Sequence, residues 1–308
     1  MAKLHKKIVL TGACGNLGME LRGTLADLAD ELVSVDITDA PDTLLDNETF
    51  VKADCSDMDA VMSFMDGADM AVHFASIADE RPFEVLLGPN FLSAYNIWEA
   101  GYKHGAKRII YASSVHAVGM HENAAGIDTD APHAPDTFYG LAKCFTEDLG
   151  KLYWAKRGME SVHMRIFSAT KVPQNARALR TWLSYDDLRQ LVEKSVTTQV
   201  TGFTVVYGIS NNDRAPVNNS KAAFLGYKPK DNAENWADSL IPGGVDVDPT
   251  DPAQLCIGGP FASVPLGESG VAGIKALTGD APNNEAASTE ADEAKKLPSF
   301  LTKKSMNP

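Results

Sequence analysis

Short apolar runs alternate with longer amphipathic stretches along most of the chain. The runs are rich in β-branched residues, which is the pattern of parallel strands buried on both faces of a sheet. These runs occupy residues 7–11, 32–35, 50–53, 70–73, 108–112, 161–166 and 203–206. Segments with helical periodicity lie at residues 19–28, 83–102, 183–193 and 232–240. The alternation predicts an α/β fold with a Rossmann-type doubly wound parallel sheet, whose ligand crevice lies at the carboxyl ends of the strands.

Composition and charge exclude several classes of partner. With a formal net charge of −13 over 308 residues, the chain lacks the basic surface that nucleic acid or an anionic membrane requires. Its apolar runs are all shorter than a membrane span, and the run behind the basic first residues is too short for a signal peptide. The four cysteines show no paired spacing, which argues against a disulfide framework or a metal site and favours the cytoplasm.

A glycine-rich segment follows the first predicted strand and opens the first predicted helix. Its glycines, Gly12, Gly15 and Gly18, are spaced three apart. Gly12 would permit a tight turn, Gly15 would let the backbone approach a pyrophosphate, and Gly18 would let the helix pack against the strand. Free N–H groups at the helix start would hold the phosphates. The spacing differs from the Gly-x-Gly-x-x-Gly fingerprint, so the glycines alone are equally compatible with an ordinary βα turn.

Two acidic residues follow the next strands. Asp36 ends the second predicted strand, and an acid there can accept hydrogen bonds from the adenosine ribose while repelling a 2′-phosphate. This favours NAD over NADP. Asp54 follows the third strand and is a candidate contact for the adenine edge. A turn or helix-capping role remains the alternative for Asp36, and Ser56 or Asp57 could equally cap the helix that follows Asp54.

Three further residues can surround a reacting alcohol. Ser114 follows the fifth predicted strand, and Tyr139 and Lys143 lie four apart on one face of a predicted helix. The Lys143 ammonium and a positive nicotinamide would lower the pKa of the Tyr139 phenol, which could then take the alcohol proton as hydride leaves. Ser114 would orient the same oxygen. Such Tyr-x-x-x-Lys pairs are frequent by chance, so the prediction depends on their combination with the glycine turn and Asp36.

These motifs resemble the extended short-chain dehydrogenase/reductase superfamily of NAD-dependent epimerases and dehydratases, and in particular the bacterial uronate dehydrogenases. The resemblance runs from about residue 6 to about residue 261. Besides the glycine segment, it is carried by residues 114–119, 138–145, 165–168, 175–177, 181–184 and 224–232. It implies NAD-dependent oxidation of the C1 hydroxyl of a hexuronate, of the glucuronate or galacturonate type, to an aldarolactone. It also implies a homo-oligomer paired through the helix that carries Tyr139.

The resemblance assigns residues to each role by position. Catalysis falls to Tyr139 as general base, to Lys143 and to Ser114. Arg177 would clamp the C6 carboxylate and supply the local cation that an acidic protein needs for an acidic sugar. The cofactor-binding set is Gly12, Gly15, Asn16, Leu17, Gly18, Asp36, Ile37, Asp54, Cys55, Phe74, Ala75, Ser76, Asn90, Tyr139 and Lys143. The substrate-binding set is Ala78, Ser114, Val115, His116, Ser168 and Arg177.

Two positions depart from the uronate dehydrogenase pattern and leave the substrate open. Val115 stands where Asn is expected, and Ala78 stands where Ser is expected. Each change removes a hydrogen-bonding group, worth on the order of 1 kcal/mol if a sugar hydroxyl is left unpaired. One alternative is a neutral aldose 1-dehydrogenase. Another is a nucleotide-sugar epimerase or dehydratase, but the short carboxyl-terminal portion argues against this second alternative. A dinucleotide-sensing regulatory protein on the same fold is the alternative that is not an enzyme.

The domain organisation follows from a change in composition near Phe261. Residues 1–261 are predicted to form the NAD-binding Rossmann domain, which includes small substrate-binding elements at about residues 167–261. Residues 262–308 are predicted to form an extended, partly disordered tail, because residues 280–296 contain no large apolar side chain.

Overall fold

The fold is described by a computed structural model that covers residues 3–241 and 251–271. Its strands in chain order are β1 (His5–Thr11), β2 (Ala29–Asp36), β3 (Glu48–Lys52), β4 (Met70–His73), β5 (Arg108–Tyr111), β6 (Ile127–Asp128), β7 (Glu160–Ile166), β8 (Ser168–Ala169), β9 (Trp182–Leu183), β10 (Phe203–Gly208) and β11 (Val217–Asn218). Seven of them form one sheet in the order β10-β7-β5-β4-β1-β2-β3, and all neighbours are parallel. The predicted doubly wound sheet is confirmed, and its strand order reverses between β1 and β4.

Helices connect the strands. They are α1 (Asn16–Leu28), α2 (Met58–Met65), α3 (Phe83–Leu86), α4 (Ser93–His104), α5 (Phe138–Arg157), α6 (Ala178–Thr181), α7 (Tyr185–Thr197), α8 (Ala237–Leu240) and α9 (Pro252–Leu255). The single helix predicted over residues 83–102 is interrupted by a π-helical turn, Leu87–Leu92, which contains Pro89. Proline has no N–H to continue an α-helical ladder, and π-turns are common near functional sites. The helix predicted over residues 232–240 is a 3₁₀ turn, Ala233–Trp236, followed by α8.

The sheet is covered by helices on both faces. Ile8 of β1 packs in a cluster with Leu21 of α1 and Leu188 of α7. The next residue, Val9, packs on the other face in a cluster with Ile97 of α4. Successive side chains of a strand point to opposite faces, so a strand covered on both sides must be apolar at every position. This is the physical reason that apolar runs located the strands.

Residues 256–271, here called the strap, return across the carboxyl ends of the strands. The Ile257 N–H donates to the carbonyl of His121 (2.8 Å), and the Gly258 N–H donates to the carbonyl of Gly119 (2.9 Å). Further along, the Val271 N–H donates to a carboxylate in the loop after β4 (3.1 Å). The first ten residues of the predicted tail are therefore packed on the fold, whereas the predicted disorder at residues 280–296 lies outside the described residues. No helix in the described part of the chain is long and apolar enough to cross a membrane.

Candidate active site

The glycine turn joins β1 to α1 at the strand-order reversal. Gly12 has φ +70°, and a Cβ there would lie 2.7 Å from the backbone nitrogen of Ala75. A Cβ on Gly18 would collide with the carbonyl oxygen of Gly12, so both positions need glycine for packing. Gly15 is the N-cap of α1 and no side chain caps the helix there. The first N–H groups of α1 are thus available to an anion such as a pyrophosphate.

The two predicted acidic residues lie at adjacent strand ends. Asp36 accepts hydrogen bonds from the Cys14 N–H (2.9 Å) and from the N–H and hydroxyl of Thr38 (both 3.1 Å). The Cys14 bond ties the acid directly to the glycine turn, which is the position that a ribose contact requires. Asp54 accepts a backbone N–H two residues further on (2.8 Å), and Ile37 is 64% exposed.

Other members of the predicted cofactor set differ in exposure. Asn16 is exposed at the start of α1, and Leu17 packs partly against the core. Cys55 is buried in the core, where burial raises the pKa of its thiol to about 12. The Cys55 side chain is therefore not open to a ligand, and its carbonyl accepts a hydrogen bond from Asn96 (3.0 Å).

The loop after β4 is held by side chains at both ends. The Phe74 N–H donates to the Thr11 carbonyl (3.1 Å), and the Ala75 N–H donates to the Thr11 hydroxyl (3.3 Å). Asn90, buried in the π-helical turn, bonds both the N–H and the carbonyl of Ile77 (2.9 Å each). Asn90 thus fixes the path of the loop, a structural role that its sequence context does not indicate.

Ser114, Tyr139 and Lys143 meet at the carboxyl end of β5. Ser114 follows the strand, and its side chain lies close enough to the Tyr139 phenol to lower the pKa of that phenol. The Lys143 ammonium donates to the Ala112 carbonyl (2.8 Å) and to the Ser76 hydroxyl (3.3 Å). It lies 5.2 Å from the centre of the Tyr139 ring. The structure therefore brings the three predicted catalytic residues together.

The electrostatics of these groups differ from the sequence-based expectation. Burial raises the pKa of Tyr139 to about 12, which outweighs the lowering effect of the neighbouring Ser114 side chain. Burial also lowers the pKa of Lys143 to about 7, opposed by the negative charge of Glu147 one turn along α5. The expected lowering of the Tyr139 pKa is thus not produced by the protein's own groups, because both side chains are more buried than the sequence indicated.

His116 lies beside Tyr139. Its Nδ1 is 2.7 Å from a carboxylate oxygen of Asp136, and its ring stacks on Phe261 with centroids 4.0 Å apart. The ring meets Tyr139 edge-on at 5.7 Å. Neither Asp136 nor Phe261 is singled out by the sequence motifs, and both complete this wall of the crevice.

Arg177 and Ser168 lie together beside the strap. The Arg177 guanidinium donates to the Ser168 hydroxyl (3.1 Å) and to the Ile257 carbonyl of the strap (2.9 Å). Burial lowers the pKa of Arg177 to about 10, opposed by the charge of Asp136, so the group stays cationic at neutral pH. Among residues 3–241 and 251–271, no carboxylate forms an ion pair with Arg177.

The two departures from the family pattern have different surroundings. The Val115 side chain is 2% exposed and packs in an apolar cluster with Phe167 and Tyr207. The structure therefore does not place this side chain among the open groups of the crevice. Ala78 is exposed in the loop after β4.

A buried carboxylate that no motif indicates supports α5, the helix that carries Tyr139. Glu80 is fully buried, and its two oxygens accept the Tyr139 N–H (2.8 Å) and the Gly267 N–H of the strap (2.9 Å). An anion at the first turn of a helix is favoured by the free N–H groups there. A buried acid is rarely left unpaired, but the sequence does not show which distant N–H groups it serves.

The glycine turn, the uncapped start of α1 and Asp36 fit a dinucleotide with its pyrophosphate over the turn and its ribose at the acid. Ser114, Tyr139 and Lys143 gather in the same crevice. Fold and site together define the class: an NAD-dependent enzyme that acts on an alcohol.

Comparisons with known proteins narrow this class. The NAD dependent epimerase/dehydratase family matches residues 8–188. The uronate dehydrogenase of Pseudomonas putida is 41% identical over 260 residues, which cover 83% of this chain and 95% of that protein. A solved structure of the Agrobacterium tumefaciens uronate dehydrogenase, a mutant complexed with NAD, aligns with TM-score 0.80 and 39% identity over 85% of this chain and 98% of that one. The glucuronic acid dehydrogenase of Chromohalobacter salexigens aligns with TM-score 0.81 and 37% identity over 84% of this chain and 97% of that one. The chain belongs to the NAD-dependent epimerase/dehydratase family and, within it, to the uronate dehydrogenases.

Proposed function

We propose that the protein oxidises the C1 hydroxyl of a hexuronate with NAD and releases the aldarolactone. The observation that carries this proposal is the state of Arg177, a cationic guanidinium in the crevice that has hydroxyl and carbonyl partners but no carboxylate among the described residues. A sugar carboxylate can accept two parallel hydrogen bonds from a guanidinium. An acidic sugar can therefore form the direct ion pair that no carboxylate of the described residues makes with Arg177.

Tyr139 is the proposed general base. Bound NAD supplies the nicotinamide ring that accepts the hydride. Ser114 hydrogen-bonds the reacting oxygen and orients it, and Tyr139 takes its proton. The Lys143 side chain lies near the phenol, and Glu147 favours the charged form of Lys143. Ser168 and His116 are proposed to contact the other sugar hydroxyls.

The test of the substrate assignment compares acidic and neutral sugars in the native enzyme and in an Arg177→Gln variant. The native enzyme should reduce NAD with glucuronate or galacturonate. Arg177→Gln should raise KM for the uronate by about tenfold to a hundredfold, because a hydrogen bond between charged groups is lost. The matched control is Arg180→Gln, an exposed arginine one turn further along. Turnover of galactose or arabinose without turnover of any uronate would transfer the assignment to a neutral aldose dehydrogenase.

We infer further that the enzyme is a homo-oligomer that pairs through α4 and α5. Leu141, Phe145 and Leu152 lie on one face of α5 and are 38–52% exposed. Tyr95 and Tyr102 of α4 add exposed rings, 41% and 45% accessible. Such a contiguous apolar surface is typical of a subunit interface. A monomeric mass by light scattering would contradict the inference.

We propose a cytoplasmic location from the cysteine chemistry. All four cysteines are free thiols. Free thiols persist where the surroundings are reducing. Fractionation of cells followed by the uronate-dependent reduction of NAD in each fraction tests the assignment.

A further inference from the structure

The carboxylate of Asp136 is surrounded by three separate chain segments, and each of them has a glycine next to it. Its side chain is fully buried. A Cβ on Gly119 or on Gly258 would collide with the carboxylate, and a Cβ on Gly140 would lie 3.1 Å from its Oδ1. These glycines belong to the turn after Ser114, to α5 and to the strap. The three glycines thus make room for this carboxylate, because a larger residue at any of these positions would collide with it or crowd it.

The two oxygens of this carboxylate have defined partners. Oδ1 accepts the Thr137 hydroxyl (2.9 Å), and Oδ2 lies 2.7 Å from Nδ1 of His116. An ionised carboxylate can only accept hydrogen bonds, so Nδ1 of His116 must be the donor. A neutral imidazole carries one N–H, and Nε2 is then a bare acceptor.

The His116 ring lies beside Phe261 and Tyr139, and its Nε2 points away from Asp136. Phe261 stacks on one face at 4.0 Å between centroids, and Tyr139 meets the ring edge-on at 5.7 Å. With Nδ1 bound to Asp136, Nε2 lies on the far side of the ring. No protein group among the described residues hydrogen-bonds this Nε2, and it is not fully enclosed.

We propose that Asp136 is a positioning residue that holds His116 in its Nδ1–H tautomer, so that Nε2 accepts a hydrogen bond from a sugar hydroxyl other than the one that is oxidised. This inference rests on the proposed role of His116 as a substrate contact. The ring in this tautomer recognises a hydroxyl donor, and it gives no favourable contact to a substrate that carries an acceptor without a proton at the same place. The carboxylate therefore contributes to specificity without touching the substrate.

The experiment replaces Asp136 with asparagine and reads out both tautomer and kinetics. The Asn side chain can donate to Nδ1, which permits the Nε2–H tautomer that Asp136 forbids. Nitrogen NMR of ¹⁵N-histidine-labelled native protein should show a protonated Nδ1 and a bare Nε2 for His116, and Asp136→Asn should lose this pattern. KM for the uronate should rise about three- to tenfold, the loss expected for one neutral hydrogen bond, while the Kd for NADH stays unchanged.

Matched variants separate this role from a general loss of structure. Asp66→Asn breaks another Asp–His pair, with His104 at 3.3 Å, and should leave KM unchanged. In a His116→Ala background, Asp136→Asn should raise KM by less than it does in the native protein, because the residue that it positions is gone and only the effect of its charge on Arg177 is left.

Three outcomes would overturn the inference. If His116→Ala raises KM but Asp136→Asn changes neither tautomer nor KM, the positioning role fails while the proposed function stands. If His116→Ala itself leaves KM unchanged, His116 is not a substrate contact and the inference fails with that proposal. If Asp136→Asn does not fold, the native protein still decides, since a protonated Nε2 on His116 contradicts the assignment.

Discussion

The cofactor half and the substrate half of the crevice are built from different parts of the chain. In the cofactor half, the positive φ of Gly12, the close packing of Gly18 and the uncapped N-terminus of α1 are backbone features of one short segment. In the substrate half, side chains bind backbone groups that are far away in sequence. Glu80 binds the Tyr139 N–H across 59 positions, and Arg177 binds a strap carbonyl across 80. A backbone-built site is encoded locally, whereas a side-chain-built site depends on the whole fold.

This contrast predicts that the two halves can be damaged separately. Changes in the substrate half should lower kcat or raise KM for the sugar while NADH binding is retained. Changes in the glycine turn should weaken NADH binding first. Each variant below is therefore assayed for both the Kd of NADH and steady-state turnover.

The largest effect is expected from Tyr139→Phe. The variant removes the proposed proton acceptor but keeps the ring in its buried site, so kcat should fall about a thousandfold. The Kd of NADH, measured by fluorescence, should stay within about twofold of the native value because the glycine turn is untouched.

The control for this variant lies on the same helix. Tyr153→Phe removes a phenol that donates to Glu99 (2.6 Å), far from the crevice, and should leave kcat unchanged. If Tyr139→Phe retains full activity, Tyr139 is not the base and the catalytic assignment is wrong.

Gly18→Ala should damage the cofactor half. The added methyl group collides with the Gly12 carbonyl, so α1 must shift and carry its free N–H groups away from the phosphates. The Kd of NADH should rise at least about tenfold, and overpacking should cost about 1–3 kcal/mol in the free energy of unfolding. Both quantities are measurable by NADH titration and urea unfolding.

Gly23→Ala is the matched control on α1. Nothing lies within 4 Å of a Cβ at this position, so the change should stabilise the helix by about 0.5–1 kcal/mol and leave NADH binding intact. Equal effects from the two glycine variants would contradict the packing argument.

Glu80→Gln should have an intermediate effect confined to the substrate half. Glutamine keeps one acceptor oxygen, so either the Tyr139 N–H or the Gly267 N–H must face an amide NH₂ instead of a carboxylate. The start of α5 should move and kcat should fall about tenfold, with an unchanged Kd for NADH. Glu84→Gln, an exposed acid four positions away, serves as control. A weakened NADH affinity without a loss of kcat would assign Glu80 to the cofactor half and contradict the prediction.

The same contrast explains how much the sequence could predict. The strands, the glycine turn and Asp36 were predictable because period, spacing and chain order are local signals. The comparisons confirm the fold class, the family and NAD as cofactor. Arg177 was assigned only through resemblance, since a loop arginine carries no local signal of its partner. That the partners of Arg177 are a hydroxyl and a carbonyl, with no directly paired carboxylate among the described residues, is a property of the folded chain.

Asp136 and Glu80 mark what the sequence could not show. Each is an acidic residue in a polar loop, where a solvated side chain is the ordinary expectation. Their roles arise because the strap and α5 fold over them, and contacts of that range leave no periodic pattern. The raised pKa of Tyr139 has the same origin, because burial is a property of the assembled crevice.

The smallest effect on activity is expected from His73→Asn. This variant tests the buried end of β4, which supports the cofactor half. The buried His73 ring bonds the Thr11 hydroxyl (2.7 Å), and burial lowers its pKa from 6.5 to about 3. The folded pKa lies below the unfolded one, so only the unfolded chain takes up a proton as pH falls below about 6.5. Stability should therefore decline by about 2 kcal/mol between pH 7 and pH 5 on account of this one residue. Asparagine keeps a polar atom towards Thr11 but does not titrate, so urea unfolding at the two pH values should show a decline smaller by that amount. An unchanged decline would mean that His73 is not held neutral in the folded protein. The end of β4 would then not be the water-free, rigid element that fixes the backbone of Phe74 and Ala75.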